Sequence, residues 1–399
     1  MISFGVIEEG KSPTDERVPL TPSQVAELLE EHKKIKIAVQ SSKVRRIKDE
    51  DYVQAGVEVK ADVSDADVLL GVKEVPKADL IPDKSYLFFS HTIKMQPYNK
   101  ELLQTVLKKR IRLIDWECLK DGRGRRLIGF GRYAGIVGAY NGFRALGARD
   151  GSFSLKKAHD CEDRAEMEGE LSKIKLGKQK ILLTGRGKVA KGAMETLDAI
   201  GIKKVGIRDY LHHEFDEAVY CQITFTEYFK RKGNTPFDIK EFYEHGDRYE
   251  SDFMRFAKVT DMLIGGHYWD SHSPFLFTRE DARHSDFNIN LVADISCDID
   301  GPVASTLRPS SISDPFYGYD PKTEKEVAFN APGAITVMAV DNLPCELPRD
   351  ASRDFGEMFI HHVLPSFLNG DKHDILKRAT IAEGGKITDE YAYLREWVD

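Results

Sequence analysis

Cysteine is scarce in this chain: Cys118, Cys161, Cys221, Cys297 and Cys345 are the only five in 399 residues, and none forms a C-x-x-C pair. An odd, scattered set of this kind excludes a disulfide framework or a zinc cluster and fits a reducing, cytoplasmic setting. Long apolar runs are also missing, since none approaches the ~18 residues that a membrane-spanning helix needs. The opening residues MISFGVIEEGK have no basic n-region and no apolar h-region, so no secretory signal is expected. Nor is there a basic excess: 58 Lys and Arg against 65 Asp and Glu leave a net charge of −7. Nucleic acid and anionic membrane both require a basic face and are not expected as partners. The one histidine cluster, His212-His213 with Glu214 and Asp216, puts adjacent rings on opposite sides with no third cluster nearby, so no metal is expected. His361-His362 reads as surface.

What is present is the profile of a globular α/β protein. Apolar residues make up 41% and charged residues 31%, and the length allows two or three domains at roughly 150 residues each. Strand patterns fall at residues 2–7, 35–39, 68–72, 85–90 and 112–115. Between them lie helical patterns at 21–32, where Thr21-Pro22 reads as a cap and first turn, and at 99–109. This alternation predicts a mostly parallel sheet covered on both faces. The stretch YAGIVGAYNGFRALGA (133–148) is small and apolar and reads as a closely packed helix rather than a phosphate loop. A second alternating block follows: strand at 180, helix 191–200, strand 203–209, then strands 262–265 and 291–295. Residues 225–258, rich in aromatic and charged side chains, read as one or two surface helices inserted into it. The amphipathic stretch 349–367 reads as a helix returning to the first lobe. The expected architecture is therefore two Rossmann-like lobes with parallel sheets, the first discontinuous. Residues 1–131 and 343–399 are expected to form the substrate-binding lobe, and 132–342 a dinucleotide-binding lobe with an insertion near 225–258.

The dinucleotide reading rests on Gly185-Arg-Gly187-Lys188-Val189-Ala190, a G-x-G-x-x-A run between an apolar strand and a helix. Gly185 permits the tight turn, Gly187 lets backbone approach a pyrophosphate, and Ala190 permits close helix–strand packing. The helix start at Lys188 and Val189 offers unpaired N–H groups to the anion. Asp209 follows Gly187 by 22 residues, at the expected end of the next strand, where a carboxylate accepts the ribose hydroxyls. That favours NAD, while the adjacent Arg208 leaves room for NADP.

Ligands of open parallel sheets bind outside the carboxyl ends of the strands. After the N-terminal strands come Asp15-Glu16-Arg17, then Lys73-Glu74, then His91 and Lys94, then Glu117 with Arg125-Arg126. Each taken singly reads as surface charge, or for His91 as a capped structural histidine. Together they make a set in which Arg holds carboxylates and Lys and His form an acid–base pair tuned by neighbouring Glu. Arg17, Lys73, Lys94 and Arg126 would give an acidic protein one local positive pocket for a small polycarboxylate.

The segments PTDERVPLTP (13–22), GVKEVP (71–76), FFSHTIKMQ (88–96), RLIDWE (112–117), GRRLIGFGRYAGIVGA (124–139), VADISCDIDG (292–301) and VMAVDNLPCELPRDAS (337–352) resemble saccharopine dehydrogenase, L-lysine-forming. They resemble more closely the lysine–ketoglutarate reductase domain of the bifunctional lysine-degrading enzyme, as does the tail RATIAEGGKITDEYAYLRE. The likeness runs nearly end to end, within the wider alanine dehydrogenase–transhydrogenase superfamily. It implies Lys73 as acid–base for a secondary amine and His91 for the water and carbinolamine protons. It implies Arg17 and Arg126 on substrate carboxylates, Glu74 and Glu117 tuning the basic pair, Asp209 on the ribose and Asp341 near the nicotinamide. The reductase form of the family is NADPH-linked, in conflict with the NAD cue of Asp209.

The function expected is an oxidoreductase that interconverts saccharopine with L-lysine plus 2-oxoglutarate through an imine, with NAD or NADP, as a cytoplasmic monomer or small homo-oligomer. Another amino-acid or opine dehydrogenase, such as one acting on alanine, is the first alternative; an inactive nucleotide-binding regulatory protein is the second.

Overall fold

Apolar runs of three to six residues pair as parallel strands in both parts of the computed structural model, which describes residues 1–233 and 235–399. The chain divides into two compact units, Met1–Phe130 with Pro348–Asp399, and Gly131–Leu347.

In the first unit the strands are β1 (Ile2–Val6), β2 (Ile35–Gln40), β3 (Glu58–Lys60), β4 (Val68–Leu70), β5 (Ser85–Phe88) and β6 (Arg112–Asp115). The sheet runs β6-β5-β4-β1-β2-β3, all parallel, and is extended beyond β6 by two C-terminal strands, Thr380–Glu383 and Lys386–Ile387. Thr380–Glu383 lies antiparallel to β6. The inner strands are buried on both faces, which is why they read as continuous rather than alternating apolar runs. The helix expected at 21–32 spans Pro22–Glu31, with the Thr21 N–H and hydroxyl donating to Gln24 Oε1 (3.0 and 2.9 Å) and Pro22 opening the first turn. The expected strands at 68–72 and 85–90 end two residues early, at Leu70 and Phe88, although the Gly71 N–H still donates to the Leu87 carbonyl (2.9 Å) and the Phe89 N–H to the Val72 carbonyl (3.0 Å).

The second unit holds β7 (Lys180–Thr184), β8 (Lys203–Lys204), β9 (Val219–Ile223), β10 (Phe229–Arg231), β11 (Tyr249–Ser251), β12 (Met262–Gly265), β13 (Leu291–Asp294), β14 (Phe316–Asp320), β15 (Lys325–Val327) and β16 (Ile335–Met338). Its main sheet runs β15-β14-β16-β13-β12-β7-β9-β8, parallel except where β14 pairs antiparallel with β15 and with β16. Two sequence expectations are corrected here. The strand expected over 203–209 is only two residues long, and Ile207–His212 is a helix. The place beside β7 is taken by β9, whose VYCQI run is mostly buried, whereas the two lysines of β8 are exposed and sit at the edge. A position covered on both faces selects the apolar run.

The segment 225–258 is also not simply one or two surface helices. The antiparallel hairpin β10–β11 encloses the short helix Ile239–Glu244. Tyr228, Phe229, Phe242, Tyr249, Phe253 and Phe256 are buried in one cluster with β9 and β12 residues. The Gly-dotted stretch is a helix over Gly131–Asp150, buried on nearly all sides. It crosses the Lys188–Ile200 helix so closely that a Cβ on Gly135 would lie 1.9 Å from the Val189 carbonyl oxygen. The C-terminal helical stretch begins at Pro348 and passes through a π-helical turn at Phe359–Val363.

Candidate functional site

In the first unit, the loops after β1, β4, β5 and β6 leave the same sheet edge and bring most of the expected residues together. Glu9, from the loop after β1, is buried, and its carboxylate accepts the Val72 N–H (2.5 Å) and the Lys73 N–H (2.9 Å). This ties the loop that carries Lys73 to the neighbouring loop. Burial raises the Glu9 carboxyl to about 8, with the two amides pulling the other way. Beside Lys73, Glu74 bridges two basic groups: its Oε1 lies 2.6 Å from His91 Nδ1, and its Oε2 pairs with Lys11. Burial would raise Glu74, but the His91 and Lys11 hydrogen bonds outweigh it and bring the carboxyl to about 2.

His91 sits in the left-handed region at φ 54° and stacks its ring on Phe89, centroids 6.4 Å apart. A non-glycine residue held there costs free energy and is found where surrounding structure insists on one orientation. Beyond it, Glu117 lies between Arg126 Nη1 (3.4 Å) and Lys94 Nζ (3.8 Å). Arg126 also donates from Nε to the Ile128 carbonyl (3.0 Å) and stands over the Phe89 ring. Asp115 organises this corner: fully buried, it accepts the N–H groups of Ser90 (2.8 Å) and Glu117 (2.7 Å).

Arg17 differs from the expectation of a carboxylate ligand held ready for substrate. It is 3% exposed, lies over the Phe130 ring, and grips Asp15 with Nε (3.0 Å) and Nη2 (2.6 Å). Burial would raise Asp15, but the Arg17 charge and hydrogen bonds hold it down to about 2. Arg126, 41% exposed in its side chain, keeps more of its guanidinium surface open than Arg17. Sequence reasoning missed Glu9, Lys11 and Asp115. Glu9 and Lys11 lie only a few residues past β1, in the same strand-end position that pointed to Arg17.

The second unit holds a cavity of about 680 Å³ whose lining includes Gly185, Gly187, Lys188 and Val189. Gly185 has φ 96°, and a Cβ there would collide with the Gly266 carbonyl oxygen at 2.4 Å, so only glycine makes this turn. A Cβ on Gly187, by contrast, would meet nothing within 4 Å, which leaves backbone open to a ligand. Gly187 caps the Lys188–Ile200 helix with no side-chain acceptor, so the first-turn N–H groups face the anion position. His267, after β12, is 7% exposed and lines the same cavity. Its Nδ1 meets Thr184 Oγ1 at 2.7 Å, while its buried Nε2 has no hydrogen-bond partner among the described residues. Burial pushes the pKa of this imidazole below its ordinary value, against the opposing pull of the Asp294 charge. A phosphate-bearing nucleotide fits these features: an open glycine, an uncapped helix start and an orphaned ring nitrogen.

Asp209 does not line this cavity. It lies in the Ile207–His212 helix, half exposed, 3.3 Å from His213. The loop after β9, which begins at Thr224, stands there instead. Asp341 is exposed just beyond β16 and is outside the cavity lining, although its charge helps raise the Cys297 thiol, which burial chiefly pushes up to about 12. Among the described residues, no group of three or more His, Cys, Asp or Glu is placed to hold a metal, and no helix is long and apolar enough to cross a membrane.

Residues 5–137 match the family model "Alanine dehydrogenase/PNT, N-terminal domain". The chain is 30% identical to alpha-aminoadipic semialdehyde synthase of Mus musculus, over 96% of this chain and 46% of that protein. It therefore spans about half the length of that relative. It is 28% identical to the NAD(+), L-lysine-forming saccharopine dehydrogenase of Candida glabrata, over 89% of this chain and 88% of that one. A solved L-alanine dehydrogenase shares the fold at 16% identity, with a TM-score of 0.66 and 99% of each chain covered. The chain thus carries an alanine dehydrogenase/PNT N-terminal domain and is, along nearly all of its length, a homologue of the alpha-aminoadipic semialdehyde synthases and the saccharopine dehydrogenases.

Proposed function

We propose that this chain interconverts saccharopine with L-lysine plus 2-oxoglutarate as a nicotinamide-dependent oxidoreductase. The observation that carries the reading is the placement of Lys73 and His91 at the ends of the adjacent parallel strands β4 and β5, tied to Glu9 and Glu74 respectively. A nicotinamide dinucleotide held through its pyrophosphate at the Gly185–Val189 loop would supply or accept the hydride. In the oxidative direction Lys73 takes the proton of the substrate's secondary amine. Water then adds to the resulting imine, and His91 takes the water proton. Glu74 remains ionised and accepts from Nδ1, which leaves Nε2 as the ring nitrogen that acts as the base. Collapse of the carbinolamine breaks the C–N bond and forms the carbonyl of 2-oxoglutarate: the proton held by His91 goes to the departing lysine nitrogen, and the freed Nε2 takes the proton of the carbinolamine hydroxyl. Arg126 and Lys94, spanned by Glu117, supply positive charge for the dicarboxylate half. Arg17, locked on Asp15, shapes the loop.

The cofactor form is a choice between NAD and NADP. Asp209, on which the NAD preference rests, is not among the residues lining the cavity, so we assign the selection to the residues after β9 and to Arg186. Absorbance at 340 nm with saccharopine and each cofactor, run in both directions, tests the reading. Lys73→Met and His91→Gln are each expected to lower kcat by roughly 10- to 10⁴-fold. Full turnover in the double variant would refute the assignment. Oxidation of NADH with pyruvate and ammonia, without turnover of saccharopine, would favour an alanine dehydrogenase.

A further inference from the structure

The cavity beside the glycine loop has an aromatic side that neither the phosphate-binding turn nor the proposed reaction explains. β9 runs parallel to β7 from Val219 opposite Lys180 to Ile223 opposite Thr184. The Gly185 N–H donates to the Ile223 carbonyl (2.8 Å), and Gln222 Nε2 donates to the Gly185 carbonyl (2.9 Å). The chain leaving β9 at Thr224-Phe225 is therefore fastened to the turn that would hold the pyrophosphate. In doubly wound sheets the loop after the strand next to the phosphate-binding strand reaches the adenosine half of a dinucleotide. In this chain that loop leads directly into the inserted segment.

The insertion presents rings rather than charges to the cavity. Phe225 stacks on Phe242 with centroids 5.2 Å apart and planes at 14°, and meets Tyr243 at 5.8 Å. Phe242 is buried beneath them, whereas Tyr243 is 67% exposed, and both Phe225 and Tyr243 line the cavity. Tyr268, 86% exposed, and Trp269 line it from the loop after β12. A soluble protein has little reason to leave two tyrosines so exposed at the mouth of one cavity unless something flat covers them.

The support beneath is firm. Glu241 accepts Arg231 Nη2 and Arg248 Nη1, each at 2.8 Å, and the Tyr249 hydroxyl donates to the Asp238 carbonyl at 2.8 Å. Glu227, four residues past β9, is outside the cavity lining and is occupied by the Thr224 N–H (2.6 Å) and hydroxyl (2.5 Å), while Asp270 and Asp298 line the cavity from outside the insertion. The wall thus combines flat apolar faces with satisfied polar groups, which suits an uncharged heteroaromatic ring. About 680 Å³ lies within the range of small-molecule and cofactor pockets.

We infer that Phe225 and Tyr243, from the insertion, form the adenine platform of the dinucleotide pocket together with Tyr268 and Trp269 of the loop after β12. The inference rests on the reading of this chain as a nicotinamide-dinucleotide enzyme, and it gives the insertion a binding role. Isothermal titration of the full chain with ADP-ribose, 5′-AMP and reduced nicotinamide mononucleotide tests it without any turnover. Tyr243→Ser changes an exposed side chain, and Phe225→Leu keeps an apolar group over Phe242; thermal melts of both check that the fold is kept. Each variant is expected to weaken ADP-ribose and 5′-AMP roughly 5- to 50-fold, the scale of a lost base–aromatic stack. Binding of the mononucleotide is expected to stay within about twofold. ADP-ribose affinity unchanged in both variants, with wild-type binding intact, would overturn the platform and leave the enzymatic reading standing. A wild-type chain that binds neither ADP-ribose nor NAD(P)H would overturn both.

Discussion

Replacement of Gly135 by alanine is expected to damage both the stability of the second unit and its grip on a dinucleotide. A Cβ at Gly135 would stand 1.9 Å from the Val189 carbonyl oxygen and 2.7 Å from the Ala193 nitrogen. Ordinary contact begins at 3.4 Å, so the Gly131–Asp150 and Lys188–Ile200 helices would have to part by about 1.5 Å (3.4 − 1.9). Both obstacles are backbone atoms, which cannot rotate aside as a side chain would. Overpacking typically costs 1–3 kcal/mol, and this case belongs at about 2–3 kcal/mol. For a unit of about 200 residues, at roughly 2–4 °C per kcal/mol, the calorimetric transition should fall by about 5–10 °C. The displaced helix begins at Lys188 and Val189, so ADP-ribose binding should weaken in parallel. Gly138→Ala provides the contrast. Its Cβ would meet the Ile295 side chain at 2.5 and 2.7 Å, which can turn away, and the loss should be smaller. A Gly135→Ala protein that melts within 1–2 °C of wild type, with unchanged ADP-ribose affinity, would refute the close-crossing argument.

Three further outcomes follow from single groups. Glu346 is 1% exposed, holds Asn141 Nδ2 at 2.6 Å, and is raised by burial to about 7. Its folded pKa lies above the unfolded one, so stability falls as pH rises through about 7; Glu346→Gln should match wild type near pH 5 and exceed it at pH 8 in urea unfolding. Equal slopes against pH in the two proteins would refute this. Glu74 shows the opposite sign: with its carboxyl held at about 2, its contribution is present above the unfolded value of 4.5 and is lost as pH falls toward about 2. Glu74→Gln should therefore flatten the acid limb of the stability profile between pH 4.5 and 2, and an unaltered limb would count against the bridge to His91 and Lys11. Asp209→Asn should leave the ratio of kcat/KM for the two reduced cofactors within about twofold, because the side chain is absent from the cavity lining. A tenfold change in that ratio would return Asp209 to the ribose site.

The sheet-edge cluster was legible in the chain because strand ends are short-range signals. An apolar run stops, charged residues follow, and topology places all carboxyl ends of parallel strands on one edge. Lys73, Glu74, His91, Glu117 and Arg126 were expected at one edge on this ground, and the loops after the parallel strands β4, β5 and β6 carry them there. Arg17 was expected there too, but its lock on Asp15 was not, since two residues of opposite charge in one loop can equally face outward. Glu9 went unnoticed because a single glutamate near a strand end looks solvated until Val72 and Lys73 are seen donating to it. Asp209 was reached by counting from Gly187, which assumes that the next strand in sequence is also the next in space, whereas β9 lies beside β7 and Asp209 is outside the cavity lining.

The chain by itself determined the repeating apolar runs, the glycine turn that only Gly185 can make, and the helix whose glycines permit a backbone-to-backbone crossing. These depend on local sterics and on the period of hydrophobic residues, both of which are written along the chain. Tertiary structure alone decided that β9 displaces β8 from the side of β7. It also folded the aromatic insertion into the cavity wall, and it closed Glu74 on both His91 and Lys11. Those outcomes are set by competition among distant segments for buried positions, and burial is a property of the assembled sheet rather than of any stretch of sequence.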